Sequence, residues 1–156
     1  LQTAARALAQ VTASKGRGDV NQIMIAGKSV TLIDESYNAN PTSMRAAISA
    51  ASLVAGRKIA VLGDMYELGP DELEQHAALA EPLLAAGFAR VLMVGECMRA
   101  LRGTLPQGLR GIQADTIDMI EDALQDEVQH GDVLLIKGSN ATGLGRLATR
   151  LKKRGN

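Results

Sequence analysis

Hydrophobic residues occur along this chain in short runs that alternate with stretches of helical spacing. Two apolar runs near the start, residues 20–26 and 29–33, flank Gly27-Lys28 and predict a β-hairpin. Further runs at residues 58–62, 90–94, 111–114 and 132–136 predict four more strands. The run at 58–62 is continuously aliphatic, which is typical of a parallel strand covered by helices on both faces.

The segments between these strands carry apolar residues at helical spacing. The stretch after Pro41 is predicted to bury Met44, Ala47, Ile48, Ala51 and Val54, and Gly56 is predicted to end it. A second helix is predicted from Pro70, burying Leu73, Ala77, Ala80 and Leu84, and others follow around residues 98–101, 117–128 and 144–151. Asn40, and Asp115 or Thr116, can cap two of these helices. The pattern predicts an α/β fold: a doubly wound, mainly parallel, Rossmann-like sheet with helices on both faces and an N-terminal β-hairpin.

Length and composition narrow the possible classes of protein. The 156 residues fit one domain, and 46% hydrophobic residues supply a core that must be aliphatic because only 2% are aromatic. The net charge is zero, which disfavours nucleic-acid binding, and no apolar run is long enough for membrane insertion. The single cysteine, Cys97, favours a reducing compartment, so we expect a cytoplasmic protein.

The start of the chain suggests a longer parent protein. Residues 1–11 have helical spacing, and the polar, Gly-rich residues 12–19 resemble a linker. The first residue is Leu rather than Met. We therefore expect residues 1–15 to be the end of an upstream central domain with its linker, and residues 16–156 to be the domain itself.

Polar loops follow three of the predicted strands, where ligands bind in open α/β sheets. The first holds Asp34, Tyr37, Asn38 and Asn40, the second Asp64 and Glu67, and the third Lys137, Gly138 and Ser139. A carboxylate can hold a ribose hydroxyl or an ammonium group, and a lysine beside glycine and serine can hold a carboxylate or phosphate. Together the loops predict a small-molecule site, although residues 38–41 alone fit a turn and helix cap equally well.

Several other kinds of site are not indicated. Gly27-Lys28-Ser29 ends like a phosphate-binding loop, but Gln22 stands where that motif needs glycine, and a strand follows instead of a helix. The glycines also lack the spacing of a dinucleotide-binding fingerprint. No metal-ligand cluster is visible, since Cys97 lies far in sequence from both histidines, and His76 is expected to be a packed structural residue.

Three motifs resemble the C-terminal domain of the Mur ligases of peptidoglycan synthesis. They are Asp34-Glu35-Ser36-Tyr37-Asn38-Ala39-Asn40-Pro41, Gly63-Asp64-Met65-Tyr66-Glu67-Leu68-Gly69 and Lys137-Gly138-Ser139, in this order. Gly16-Arg17-Gly18 resembles the family's linker between the central domain and this one. The first motif favours the family member that adds D-alanyl-D-alanine to UDP-N-acetylmuramoyl-tripeptide.

The resemblance implies an ATP-driven amide ligase that works through an acyl phosphate. It implies that Arg17, Asp34, Tyr37, Asn38 and Asn40 contact ATP, and that Mg²⁺ is bound mainly by the central domain. By the same resemblance, Asp64, Lys137, Gly138 and Ser139 would line the pocket for D-alanyl-D-alanine. The enzyme's own N-terminal and central domains would be partners, and this chain alone would be inactive.

The sequence departs from the family pattern at one position, and two alternative functions remain open. The family commonly has Arg after Lys-Gly-Ser, whereas this chain has Asn140, and Arg146 follows downstream. A sister ligase that adds another amino acid, such as a folylpolyglutamate synthase, would share the fold, but the Tyr-Asn-Ala-Asn-Pro loop argues against it. A non-enzymatic α/β nucleotide-binding module could use the same loops.

Overall fold

The computed structural model describes residues 15–155, in which strands and helices alternate after an opening hairpin. The strands are β1 (Asp19–Ile25), β2 (Lys28–Asp34), β3 (Lys58–Gly63), β4 (Phe88–Val94), β5 (Arg110–Ala114) and β6 (Val133–Lys137). The helices are α1 (Pro41–Ser52), α2 (Glu72–Ala77), α3 (Ala80–Ala85), α4 (Met98–Thr104), α5 (Ile117–Glu127) and α6 (Leu144–Arg154). Short 3₁₀ turns at Gly69–Asp71, Gln107–Leu109 and Asn140–Thr142 precede α2, β5 and α6. The helical tail predicted at residues 1–11 lies outside the described residues.

The six strands form a mixed sheet in the order β1-β2-β6-β3-β4-β5. β1 and β2 pair antiparallel, and the other neighbouring strands pair in parallel. The predicted hairpin and mainly parallel sheet are therefore confirmed. Ala26 and Gly27 form the two-residue hairpin turn, with φ of 49° and 77°, which suits the twist of the strands. Gly27-Lys28-Ser29 thus belongs to a hairpin and forms no phosphate-binding loop.

Two aliphatic cores lie on opposite faces of the sheet, because successive strand residues point to opposite sides. Leu62 and Leu135 pack with α1, α3 and α4 on one face, and Val61 and Leu134 pack with α5 and α6 on the other. The doubly wound arrangement is confirmed by this division. Within the described part of the chain, no helix combines the length and apolar character needed to cross a membrane.

The single helix predicted from Pro70 is wrong in detail. A 3₁₀ turn is followed by two short helices, α2 and α3, and Leu73 and Leu84 are 56% and 47% exposed. The N–H of Leu79 donates to the carbonyl of His76 in a tight turn that ends the first helix. The core-facing stripe consequently shifts to Leu79 and Leu83, which are four residues apart and fully buried.

Side-chain caps fix the start of α1 and α5. The side-chain oxygen of Asn40 accepts a hydrogen bond from the N–H of Ser43 at 2.8 Å, and the Ser43 hydroxyl accepts one from the N–H of Asn40 at 3.0 Å. Thr116 caps α5 in the same sense. Both predicted caps are confirmed, but α1 ends at Ser52 and Val54 packs against the core from the following turn.

Candidate functional site

The carboxyl ends of β2, β6 and β3 lie side by side at one edge of the sheet. The helix after β6 packs on the opposite face from the helices after its two neighbours, so a crevice opens between the strand ends. Ligands of open α/β sheets bind at such a change of direction. The structure therefore brings together the three polar loops, as the strand pattern predicted.

The linker is hydrogen-bonded to the loop after β2. The N–H of Gly18 donates to the carbonyl of Asp34 at 3.0 Å, and the N–H of Tyr37 donates to the carbonyl of Gly16 at 2.9 Å. Gly16 has a φ of 77°, and a Cβ there would lie 3.0 Å from the Tyr37 nitrogen, so this position requires glycine. The Arg17 guanidinium lies 3.9 Å from the centroid of the Tyr37 ring. Linker and loop thus present one cationic and aromatic surface, on which Tyr37 is 52% exposed.

Asp34 is almost fully buried and its carboxylate is engaged inside the chain. One oxygen accepts from Lys152 Nζ at 2.7 Å, and the other accepts from the N–H of Ser36 at 3.1 Å and from the Ser36 hydroxyl. Lys152 also binds Asp19, at 2.6 Å. The Asp34 carboxylate therefore braces the loop that carries Tyr37.

The polar residues at the tip of this loop are more accessible. Asn38 and Asn40 are exposed. The Asn38 side-chain oxygen accepts from the N–H of Ala39 at 2.8 Å, and its amide NH₂, which donates to no group among residues 15–155, is a potential donor to a ligand. Asn40 is occupied by its capping role. Of these two predicted nucleotide contacts, Asn38 has the freer side chain.

Asp64 is 4% exposed and binds the backbone at the start of α4. Its two oxygens accept from the N–H groups of Met98 at 2.9 Å and Cys97 at 3.2 Å. Gly95 makes room for this carboxylate, since any Cβ there would overlap it. The arrangement joins the end of β3 to the loop after β4.

The loop after β6 is attached to the loop after β3. The N–H of Ser139 donates to the carbonyl of Asp64 at 3.0 Å, and the Ser139 hydroxyl accepts from the N–H of Tyr66 at 3.1 Å. A Cβ on Gly138 would lie 2.9 Å from the Gly63 Cα, so glycine permits the close approach of the two chains. The predicted acceptor residues are therefore adjacent, and much of their polar capacity is used within the rim.

Lys137 is buried and points toward the loop after β2. Its ammonium donates to the carbonyl of Asn38 at 2.8 Å and to the carbonyl of Glu35 at 3.4 Å. Burial lowers the pKa of Lys137, and the charge of Glu35 opposes that shift. The ammonium is thus occupied by backbone oxygens at the site predicted to bind the nucleotide.

Glu35 and Glu67 are carboxylates at this rim that keep access to solvent. Burial raises the pKa of Glu35; the Lys137 ammonium opposes the shift and Asp34 adds to it. Glu67 has a φ of 62°, a left-handed conformation that non-glycine residues adopt at a cost, often at functional loops. No pattern in the sequence indicates that strain.

Asp64, His76 and Cys97 form a cluster whose potential ligand atoms lie within 4.8 Å of one another. Distance along the chain was therefore no guide to the separation of Cys97 and His76. His76 Nδ1 donates to the carbonyl of Glu72 at 2.5 Å, and Nε2 accepts from the N–H of Met65 at 2.9 Å. Because both ring nitrogens are used, the imidazole offers no lone pair to a metal, and His76 is a buried structural residue, as predicted.

The surroundings of Cys97 disfavour its thiolate form. Burial raises the pKa of its thiol, and the carboxylates of Asp64, Glu72 and Glu96 raise it further. A thiol held protonated is a poor nucleophile and a poor metal ligand. Asp64 and His76 therefore use their polar atoms to hold the loop after β3 against α2 and the start of α4.

An open cleft of about 740 Å³ lies between the linker, the loop after β2 and α6. It is lined by Lys15, Gly16, Asp34, Ser36, Tyr37, Asn140, Ala141, Gly143, Gly145, Arg146, Thr149 and Arg150. Arg150 is paired with Asp118 and Glu121, whereas no carboxylate in residues 15–155 pairs with Arg146. The sequence analysis pointed to Arg146 but missed Thr149 and Arg150, although residues 146, 149 and 150 have the spacing of one helix face.

The sequence model described as "Mur ligase, glutamate ligase domain" matches residues 16–140. The UDP-N-acetylmuramoyl-tripeptide–D-alanyl-D-alanine ligase of Mycobacterium leprae is 35% identical over 149 residues, which cover 81% of this chain and 28% of that protein. The enzyme of the same name from Escherichia coli is 34% identical over 125 residues, covering 80% of this chain and 27% of that protein. The chain thus spans less than a third of the length of these relatives.

Solved structures show the same likeness. MurF ligase from Thermotoga maritima, in complex with ADP, superposes with a TM-score of 0.78 at 27% identity over 94% of this chain and 32% of that one. MurF from Acinetobacter baumannii gives 0.74 at 28% identity over 98% of this chain and 34% of that one. A folylpolyglutamate synthase/dihydrofolate synthase from Yersinia pestis, at 17% identity and a TM-score of 0.62, shares the fold over 91% of this chain and 32% of that one. Because the family's model matches most of the sequence, the chain belongs to the Mur ligase family, as one of its glutamate ligase domains.

Proposed function

We propose that this chain is the C-terminal domain of an ATP-dependent ligase that joins D-alanyl-D-alanine to UDP-N-acetylmuramoyl-tripeptide in peptidoglycan synthesis. The observation that carries the proposal is the 34–35% identity, over about four-fifths of this chain, to two relatives that bear the name of this reaction. The likeness to a MurF structure that holds ADP supports ATP as the cosubstrate. We place the reaction in the cytoplasm, where ATP is available.

The nucleotide is proposed to lie against the surface formed by linker and loop. Arg17 over Tyr37 offers a guanidinium to phosphate and an aromatic face to a base. The free amide of Asn38 adds a donor, while Asp34 and Asn40 hold the loop in shape. The enzyme's own central domain would complete the site from the other side, because this surface is open.

The acceptor dipeptide is proposed to bind where the loops after β3 and β6 meet, around Gly138 and Ser139. Asp64 contributes its own backbone carbonyl, which accepts a hydrogen bond from the N–H of Ser139. In the reaction, ATP phosphorylates the tripeptide carboxylate, the dipeptide amine attacks the acyl phosphate, and phosphate leaves. This domain would position the amine and exclude water when it closes onto the central domain.

Magnesium is proposed to be held mainly outside this chain. The chemistry of Mg²⁺ calls for carboxylate oxygens free to coordinate. The buried carboxylates of this rim, Asp34 and Asp64, are engaged by an ammonium, a hydroxyl and backbone N–H groups. These two carboxylates therefore do not fit a magnesium site, and we assign this domain no step that depends on one.

Phosphate release by the full-length protein tests the proposal. The enzyme is supplied with ATP, Mg²⁺ and UDP-N-acetylmuramoyl-tripeptide, and D-alanyl-D-alanine is compared with D-glutamate, L-glutamate and no acceptor. We expect release that requires D-alanyl-D-alanine. Release with another acceptor would assign a sister ligase, and no release with any acceptor would favour a nucleotide-binding module.

The isolated 156-residue chain should lack ligase activity and bind ATP weakly, because the proposed site is shared with another domain. Calorimetry on this chain provides the check. Submicromolar binding, which corresponds to more than about 8 kcal/mol, would contradict a shared nucleotide site.

A further inference from the structure

Lys137 is a buried cation whose partners are backbone oxygens. Its residue is 3% exposed, and no carboxylate in the described chain lies within ion-pair distance of its ammonium. The ammonium instead donates to the carbonyls of Asn38 and Glu35. A buried ammonium is costly unless hydrogen bonds replace its water, so the stability of this cation depends on both carbonyls staying within its reach.

The carbonyl of Glu35 lies at the start of the loop after β2, and that of Asn38 lies at its exposed tip. The other backbone ties of this loop lie toward its ends, at Glu35, where the N–H donates to the carbonyl of Ile136, and at Tyr37, where the N–H donates to Gly16. The carbonyl of Asn38 is tied by Lys137. Lys137 therefore fixes, from beneath, the segment that presents Tyr37 and Asn38.

We propose that Lys137 is a positioning residue for the nucleotide, acting through the Glu35–Asn38 loop, and that it is no ligand of the acceptor carboxylate. This inference rests on the proposed function, since it names a role at the same nucleotide site. It departs from the role implied by the resemblance, which placed Lys137 in the acceptor pocket. The reason is geometric, because its donors face the carbonyls of the loop after β2.

The test uses the full-length protein with Lys137→Met, and Lys58→Met as a matched control. Lys58 is a half-buried lysine whose ammonium also donates to a backbone carbonyl, that of Gly56 at 3.1 Å, but it begins β3, at the edge of the sheet opposite the candidate site. The readouts are ADP affinity by calorimetry, the KM values for ATP and D-alanyl-D-alanine, and amide hydrogen exchange of residues 35–40.

Lys137→Met should weaken ADP binding and raise the KM for ATP by about ten- to a hundredfold, the loss expected for hydrogen bonds to a charged group. The KM for D-alanyl-D-alanine should stay within about twofold, and exchange should speed up at residues 36–39 while β6 keeps its protection. Lys58→Met should change none of these. Lys137→Gln, which can still donate to one carbonyl, should fall between wild type and Lys137→Met and serves if the latter does not fold.

Three results with the Lys137 variants would overturn the inference. A raised KM for D-alanyl-D-alanine with unchanged ADP binding would make Lys137 an acceptor ligand. Equal increases in both KM values with lost protection throughout β2 and β6 would make it a general structural residue, and no change would remove any role. If the wild-type protein releases no phosphate with any acceptor, the proposed ligase function is wrong, but ADP binding and hydrogen exchange of the loop still decide the role of Lys137. If the wild-type protein binds no ADP, both the proposed function and the role of Lys137 are wrong.

Discussion

Asp34 and Asp64 lie at the carboxyl ends of β2 and β3, the strands on either side of β6, but different groups bind their carboxylates. Asp34 binds the ammonium of Lys152 and the hydroxyl of Ser36. Asp64 binds backbone N–H groups at the start of α4. Both side chains are almost fully buried, so each braces a loop, but only Asp34 depends on a partner's charge. A carboxylate at a strand end therefore need not be a ligand-binding group.

The largest effect should come from Asp64→Ala. It leaves two buried N–H groups without an acceptor, and we expect the free energy of unfolding to fall by about 3 kcal/mol. Urea denaturation of the chain measures the loss. Glu96→Ala is the control, because its side chain is 83% exposed. A loss no larger than that of the control would show that the Asp64 bonds are replaced by water.

Asp34→Asn should cost less, about 2 kcal/mol, because Lys152 keeps Asp19 and the amide oxygen can still accept from Ser36. Combining Asp34→Asn with Lys152→Met measures how much of the stability that Asp34 provides comes from its ion pair, which Asp64 lacks. The second change should cost clearly less in the Asp34→Asn background than in wild type, since the pair is already broken. Additive losses would mean that Asp34 acts through Ser36 alone.

Tyr37→Ala in the full-length protein tests the exposed part of the loop that Asp34 braces. Loss of the ring removes the stacking partner of Arg17, and the KM for ATP should rise about tenfold, or about 1.4 kcal/mol. Tyr66→Ala is the matched control, a tyrosine of similar exposure on the loop after β3. Equal effects of both substitutions on the KM for ATP would remove the distinction between the two sides of the rim.

The smallest effect concerns Asp19, the second carboxylate on Lys152. Hydrogen bonding to Lys152 lowers the pKa of Asp19, and burial opposes that shift. A carboxyl group whose pKa is lower in the folded state stabilises the fold at pH values above its pKa in the unfolded chain. That stabilisation is lost as the pH falls below about 4. Asp19→Asn should therefore lose less stability than wild type between pH 5 and about pH 2.5, by under 1 kcal/mol because Asp19 is partly exposed. Parallel urea midpoints for the two proteins across this range would contradict the assignment.

Local sequence patterns predicted most of the strands and helices correctly, and they failed where tertiary packing determines which residues are buried. The hairpin, the parallel strands and the Asn40 cap follow from alternation, aliphatic runs and capping chemistry. The helix predicted from Pro70 failed because a tight turn at Leu79 changes which residues face the core. Leu73 and Leu84, one before and one after that turn, matched the helical stripe but are exposed.

The candidate site divides in the same way. The strand-end loops predicted which edge of the sheet carries the candidate site, since the ends of adjacent parallel strands must meet at one edge. The sequence could not show that Asp34 and Asp64 are turned inward, that Lys137 donates to backbone carbonyls, or that Cys97 lies beside His76. Those facts depend on which distant groups become neighbours, and the part played by α6 in the cleft belongs with them.

The sequence by itself determined the order of the elements, the edge of the sheet that carries the loops and the family to which the loops belong. These depend on local periodicity and on residue types at fixed spacing. The tertiary structure alone decided which polar side chains remain available to a ligand. That choice is set by hydrogen bonds between residues as far apart as Asp34 and Lys152, because a buried charge must find its partner wherever the fold provides one.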